Sequence, residues 1–148
     1  MGVMIDSVQI TPLRIIRVPN GDVLHAITNS APGYKGFGEA YFSTIQCNCI
    51  KAWRRHRVMT MNLMVPHGRV RFVTFDDREN STPRGTISEL EISLENYVRL
   101  TVPPGIWVGF QGLARDSSLI LNFADIPHDP KEADQCPLDE IPFDWSGK

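Results

Sequence analysis

The fold is decided by Ile50-Lys-Ala-Trp-Arg-Arg-His-Arg-Val-Met-Thr-Met-Asn-Leu-Met-Val65, which closes at Pro66-His-Gly68 and resumes as Arg69-Val-Arg-Phe-Val-Thr-Phe75. No helical apolar period of 3.6 residues runs through it, and a Pro/Gly turn separates two extended runs. The same grammar holds on both sides. Residues 8–18 are rich in Ile, Val, Leu and Thr and end at the turn Pro19-Asn-Gly-Asp22. Residues 23–28 and 39–45 read as strands around a Gly/Pro loop at 29–38. After a polar loop at 76–85, residues 86–94 alternate Ile87, Glu89, Glu91 and Ser93 with Ser88, Leu90, Ile92 and Leu94. That is a strand with one wet face. Strands follow at 97–102, 106–113 and 118–123. From 124 to 148 the chain is acidic and proline-rich, and it reads as one short helical turn around 130–134 plus irregular chain. Roughly eight to ten short strands with regular turns mean an all-β sandwich or barrel.

Composition narrows the function. The chain has 148 residues, 42% apolar and 22% charged, with a net charge of −2. One domain with a real core is expected, with no nucleic-acid partner and no membrane partner. The start, Met-Gly-Val-Met-Ile-Asp6, lacks signal-peptide and myristoylation patterns. Three cysteines, Cys47, Cys49 and Cys136, argue against a disulfide framework and for a reducing cytoplasm. Cys47-x-Cys49 has no second Cys/His pair at zinc spacing, so two half-buried thiols on a strand are expected. Gly33-x-x-Gly36-x-Gly38 leads into a strand, and a phosphate-binding glycine loop would lead into a helix.

His56 stands among the cations Lys51, Arg54, Arg55 and Arg57. These could be a solvated basic face or a pocket for an anion such as a sugar diphosphate. Arg54 and His56 share a strand face by the two-residue period. Asn62 and Asn122 are either ligand contacts or satisfied core amides. Arg78 either serves a site or pairs with Asp76. Trp53 and Trp107 either stack on a base or pack in the core. Met59, Met61 and Met64 read as barrel filling, and His128 as a loop residue.

Arg54-x-His56…Met61…Gly68 and Pro103-Pro-Gly105-Ile-Trp-Val108 keep the frame of the two cupin motifs. The chain therefore resembles a cupin, a double-sheet jelly-roll barrel, with an irregular proline-rich C-terminal tail. The resemblance implies one domain over 1–148, with the barrel at about 8–123 and the tail at 124–148. Arg54, Met61 and Val108 stand in three of the four metal-ligand slots. One remaining imidazole cannot hold a divalent metal, so no metal and no cofactor are expected.

Among metal-free cupins, the chain resembles the nucleotide-sugar 3,5-epimerases of the dTDP-4-dehydrorhamnose 3,5-epimerase family. The motifs that carry this are Ile50-Lys-Ala-Trp53, Gly68-x-Val70 with Phe75-Asp-Asp-Arg78, Val102-Pro-Pro-Gly-Ile-Trp-Val-Gly-Phe110, Asp125 with Pro130, and Asp139 before Ile141-Pro-Phe-Asp-Trp145. The resemblance implies a homodimer and a nucleotide-linked 4-keto sugar substrate. It also implies His56 as base, with Asp139 as the carboxylate orienting it. Lys51, Arg54, Asn62, Arg78 and Asn122 are the candidate substrate contacts. Met61 and Leu121 stand where the family carries its Lys and Tyr. Tyr41 and Tyr97 remain as acids that the sequence does not place. A binding module without catalysis and a metal cupin with other ligands stay open at this stage. A keto sugar acidifies its neighbouring C–H bonds, and an imidazole that titrates near neutrality is a suitable base for them.

Overall fold

The computed structural model describes residues 8–147; the N-terminal stretch read above for signals, 1–6, lies outside them. The elements are β1 (Gln9–Pro12), β2 (Ile15–Ile16), β3 (Val23–Leu24), β4 (Glu39–Ile45), β5 (Ile50–His56), β6 (Met61–His67), β7 (Arg69–Asp76), β8 (Ile87–Ser93), β9 (Val98–Val102), β10 (Ile106–Gly112), β11 (Ser118–Ala124), β12 (Ala133–Gln135) and a 3-10 turn at Leu138–Glu140. One sheet runs β1-β9-β6-β11-β4 and the other β12-β5-β10-β7-β8, both antiparallel, with β2 and β3 forming a small ribbon. This is the cupin double-sheet jelly roll that the motif frame implied.

The space between the sheets is filled where the strands alternate apolar residues. Met61, Leu63 and Val65 from β6 meet Val70 and Phe72 from β7, and Leu100, Ile106, Val108 and Ile120 close the layer. Each such side chain contributes about 1.5–3 kcal/mol by leaving water. The outer face of the β5–β10–β7 sheet carries a second cluster, Trp53, Val73, Trp107 and Ile141, with Phe143 and Trp145 packed on it. The Pro-rich tail is thus the cover of that face. Trp53 Nε1 donates to Leu138 O at 3.0 Å, which ties the tail down.

Two glycines are required where they stand. Gly68 turns β6 into β7 at φ 90°, and a Cβ there would strike Ser118. Gly109 faces a bulge, and a Cβ there would lie 2.6 Å from the Ala52 methyl.

Several expectations are corrected. The extended run 50–65 is two strands, because residues 57–60 turn the chain from one sheet to the other. Arg57 N–H in that turn donates to the backbone Glu132 O at 2.9 Å, and tail carboxylates accept the next three N–H groups. Glu132 takes Val58 and Met59 at 2.9 and 2.8 Å, and Asp125 takes Thr60 at 2.8 Å. No helix forms at 130–134: a single turn closed by Glu132 N–H to Asp129 O at 3.0 Å leads into β12 at Ala133, and the only helical turn among the described residues is the 3-10 turn at Leu138–Glu140. Cys47 and Cys49 are exposed on the β4–β5 turn, where Asn48 takes φ 65°, and are not half-buried in a strand.

Candidate functional site

A bulge in β5 decides what faces the interior. Val108 of β10 pairs with Arg54 and Phe110 pairs with Lys51, so Ala52 and Trp53 together oppose Gly109. Strict alternation would send Lys51 and Arg54 to opposite faces. The extra residue brings both to the inner face, where His56 also lies. Across the barrel, Tyr41 and Ser43 of β4 and Asn122 of β11 face inward, since Tyr41 pairs with Asn122 and Asn122 with Leu63.

These side chains line a cavity of about 450 Å³, with Met61, Leu63 and Val108 as an apolar floor and Gln135 and Cys136 from the tail as one wall. Among the described residues, no helix is long and apolar enough to cross a membrane, and no group of three His, Cys, Asp or Glu could hold a metal ion.

His56 is buried, and its Nδ1 lies 2.7 Å from Glu132 Oε1. Burial opposes ionisation of Glu132, but the hydrogen bonds from His56, Met59 and Val58 outweigh it and hold the carboxyl below its ordinary range. An ionised carboxylate can only accept, so Nδ1 carries a proton, and in the neutral imidazole the lone pair is on Nε2. Arg54 is half-buried in the cavity and has no carboxylate within ion-pair reach among the described residues. Lys51 is exposed at the mouth and donates from Nζ to Thr44 O at 2.9 Å, bridging the seam between the sheets. Tyr41 is 42% exposed. Its burial raises the phenol above its ordinary range, although Arg54 pulls the other way. Asn122 Nδ2 donates to Ser43 Oγ at 3.2 Å.

Of the candidates read from sequence, His56, Lys51, Arg54 and Asn122 come together here. Three do not. Asp139 lies exposed in the 3-10 turn, and Glu132 occupies the place beside His56 that the tail motif had assigned to it. Asn62 points to the outer face, because its neighbours Met61 and Leu63 take the inner one. There its Oδ1 accepts Arg99 Nε at 3.1 Å and its Nδ2 donates to Gly33 O at 3.1 Å. Arg78 forks onto Asp76, with Nε and Nη2 at 3.0 and 2.8 Å from its two oxygens, away from the cavity. Trp107 stacks under Arg55 at 4.4 Å on the outer face. Tyr97 donates to His25 O at 2.7 Å and does not line the cavity.

Glu132 and Tyr41 are the residues that sequence reading did not place. Nothing marks Glu132 among the acids of an acidic tail. For Tyr41 a signal did exist: Tyr41, Ser43 and Ile45 share one face of β4, and the buried Ile45 marks that face as inward.

No family model matches the chain. The crystal structure of a dTDP sugar isomerase from Desulfovibrio desulfuricans G20 superposes with a TM-score of 0.92 at 35% identity, over 99% of this chain and 97% of that one. A Haloferax volcanii protein named "Probable low-salt glycan biosynthesis epimerase Agl13" is 26% identical over 95% of this chain and 89% of its own length. The Bacillus subtilis (strain 168) spore coat polysaccharide biosynthesis protein SpsL is 25% identical over 97% of each chain. With the jelly roll and the motif set described above, these likenesses make the chain a divergent member of the dTDP-4-dehydrorhamnose 3,5-epimerase family of nucleotide-sugar epimerases and isomerases.

Proposed function

We propose that this enzyme epimerises a dTDP-linked 4-keto-6-deoxy sugar at C3, C5 or both, by metal-free removal and return of a proton. The observation that supports the reading most is the His56–Glu132 dyad at a cavity that also holds an unpaired guanidinium and a protonated phenol. His56 Nε2 takes the proton alpha to the ketone, and Glu132 stabilises the imidazolium that forms. The electron pair moves onto the ketone oxygen. Arg54 stabilises that oxyanion, taking the part of the Lys that the family pattern carries where this chain has Met61. Tyr41, on the opposite sheet, returns a proton to the other face, which inverts the centre. Its raised phenol keeps that proton through neutral pH.

Lys51 at the mouth fits the diphosphate, and Asn122 with Ser43 fits the sugar hydroxyls. The apolar floor of Met61, Leu63 and Val108 suits a sugar without a 6-hydroxyl. Surface-glycan biosynthesis is the setting we assign, in line with the names of the curated relatives, and we place the enzyme in the cytoplasm on its free cysteines. We also assign a homodimer. β4 ends its sheet and exposes Phe42 at 63%, and an open edge of this kind invites a second copy. Light scattering at micromolar concentration tests it, and a monomer overturns it.

The decisive experiment follows a dTDP-linked 4-keto-6-deoxyhexose by NMR in deuterium oxide. The wild type should incorporate deuterium at the epimerised carbon, and His56→Asn should lose that exchange by about 10²–10⁴-fold. Tyr41→Phe should keep the exchange but slow inversion by about tenfold or more. Exchange at the wild-type rate in His56→Asn would remove the base from the mechanism.

A further inference from the structure

The carboxylate of the dyad is not carried by the barrel proper. It stands immediately before β12, a three-residue edge strand between Pro130 and Pro137. β12 pairs with β5 through Ala133 to His56, Asp134 to Arg55 and Gln135 to Arg54. Register in a strand is ordinarily set by an apolar face. Neither Ala133 nor Gln135 supplies one. A slip of one residue would carry Glu132 about 3.3 Å along the strand, enough to break its bond to His56.

Glu132 itself accepts the Val58 and Met59 N–H groups and Leu138 O accepts Trp53 Nε1, and Asp134 adds the side-chain contact made from within β12. Its Oδ2 accepts Arg55 Nε and Nη2 at 3.2 and 2.9 Å, and its Oδ1 accepts Arg57 Nη2. Both guanidiniums are themselves held. Arg55 lies on the Trp107 ring at 4.4 Å and reaches Asp77 at 3.2 Å. Arg57 donates a second bond to Lys131 O at 2.8 Å. We propose that Asp134 is a positioning residue: gripped on both oxygens by Arg55 and Arg57, it holds β12 in the one register that puts Glu132 on His56 Nδ1. The catalytic consequence rests on His56 being the base; the positioning itself does not.

The test separates the two. In substrate-free protein carrying 15N-labelled histidine, with the His56 signals assigned through His56→Asn, the wild type should show a single Nδ1–H tautomer. Asp134→Ala should mix the tautomers and lower kcat by about tenfold or more, with KM changed less than about threefold, because a misplacement near one ångström costs that much or more. Asp134→Glu should recover the single tautomer and part of the rate. Asp22→Asn, which removes a surface ion pair with Arg17, should change neither. An unchanged tautomer in folded Asp134→Ala overturns the proposal. Where that variant does not fold, Arg57→Gln keeps Arg55 and should still mix the tautomers; an unmixed spectrum there overturns it equally. Mixed tautomers with an unchanged kcat would uphold the positioning role and overturn His56 as base.

Discussion

Asp76 and Glu132 have side chains buried to the same degree, each 6% exposed, yet they do different work. Asp76 finds its cation two residues away, in Arg78, and its remaining lone pairs accept Ser81 Oγ–H at 2.5 Å and the Arg78 N–H at 3.0 Å. Glu132 reaches across 76 residues to His56 and accepts two N–H groups from the turn beyond it. The first carboxylate closes a loop on itself. The second joins the tail to the barrel, and its partner is an imidazole, a side chain with the chemistry of a general base. Burial alone therefore does not mark a site here; the chemistry of the partner does.

The widest gap between the two should open on substitution. Glu132→Ala should lower kcat by about 10²-fold or more, measured as deuterium exchange, because the imidazole loses both its tautomer and its counter-charge. It should also lower stability by about 2 kcal/mol, since two turn N–H groups lose their acceptor. Asp76→Ala should cost about 2 kcal/mol in denaturant unfolding by removing the main acceptor of Arg78 and Ser81, with kcat changed less than about threefold. A large kcat effect at Asp76 would break the comparison.

Acid sharpens it further. Burial opposes ionisation of Asp76, but Arg78, Ser81 and the Arg78 N–H overcome it and pull the carboxyl from 3.8 to about 2. A depressed carboxyl stabilises the fold fully above its ordinary value and loses that contribution as pH falls toward the folded value. Between about pH 4 and pH 2, the wild type should lose on the order of 2 kcal/mol that Asp76→Asn never had. Unfolding curves for the two proteins should converge as pH falls; parallel curves would contradict the assignment. The smallest effect belongs to Asp139. Exposed in its 3-10 turn, it should tolerate Asn with kcat changed by about twofold or less, and a loss like that of Glu132→Ala would return the orienting role to it.

The Asp76–Arg78 pair could be read only as the alternative to a substrate contact for Arg78: both ends lie in one tetrapeptide at the end of β7, but nothing local says which role wins. The cupin frame was legible because turn glycines such as Gly68 and alternating strands such as 86–94 are local signals. The inward face of Arg54 and His56 followed from a two-residue period. That of Lys51 did not, because the bulge at Ala52 and Trp53 shifts the phase and only pairing with β10 reveals it.

The amino-acid sequence by itself determined an all-β barrel, its family resemblance, and the strand that carries the imidazole and its neighbouring cations, since each is written in spacing along the chain. Only the tertiary structure decided that Glu132, not Asp139, meets His56, that Tyr41 faces it across the cavity, and that Asn62 and Arg78 turn away. Those choices depend on sheet order, a bulge and the docking of a tail, which bring together residues far apart in the chain. No local pattern encodes a contact of that range.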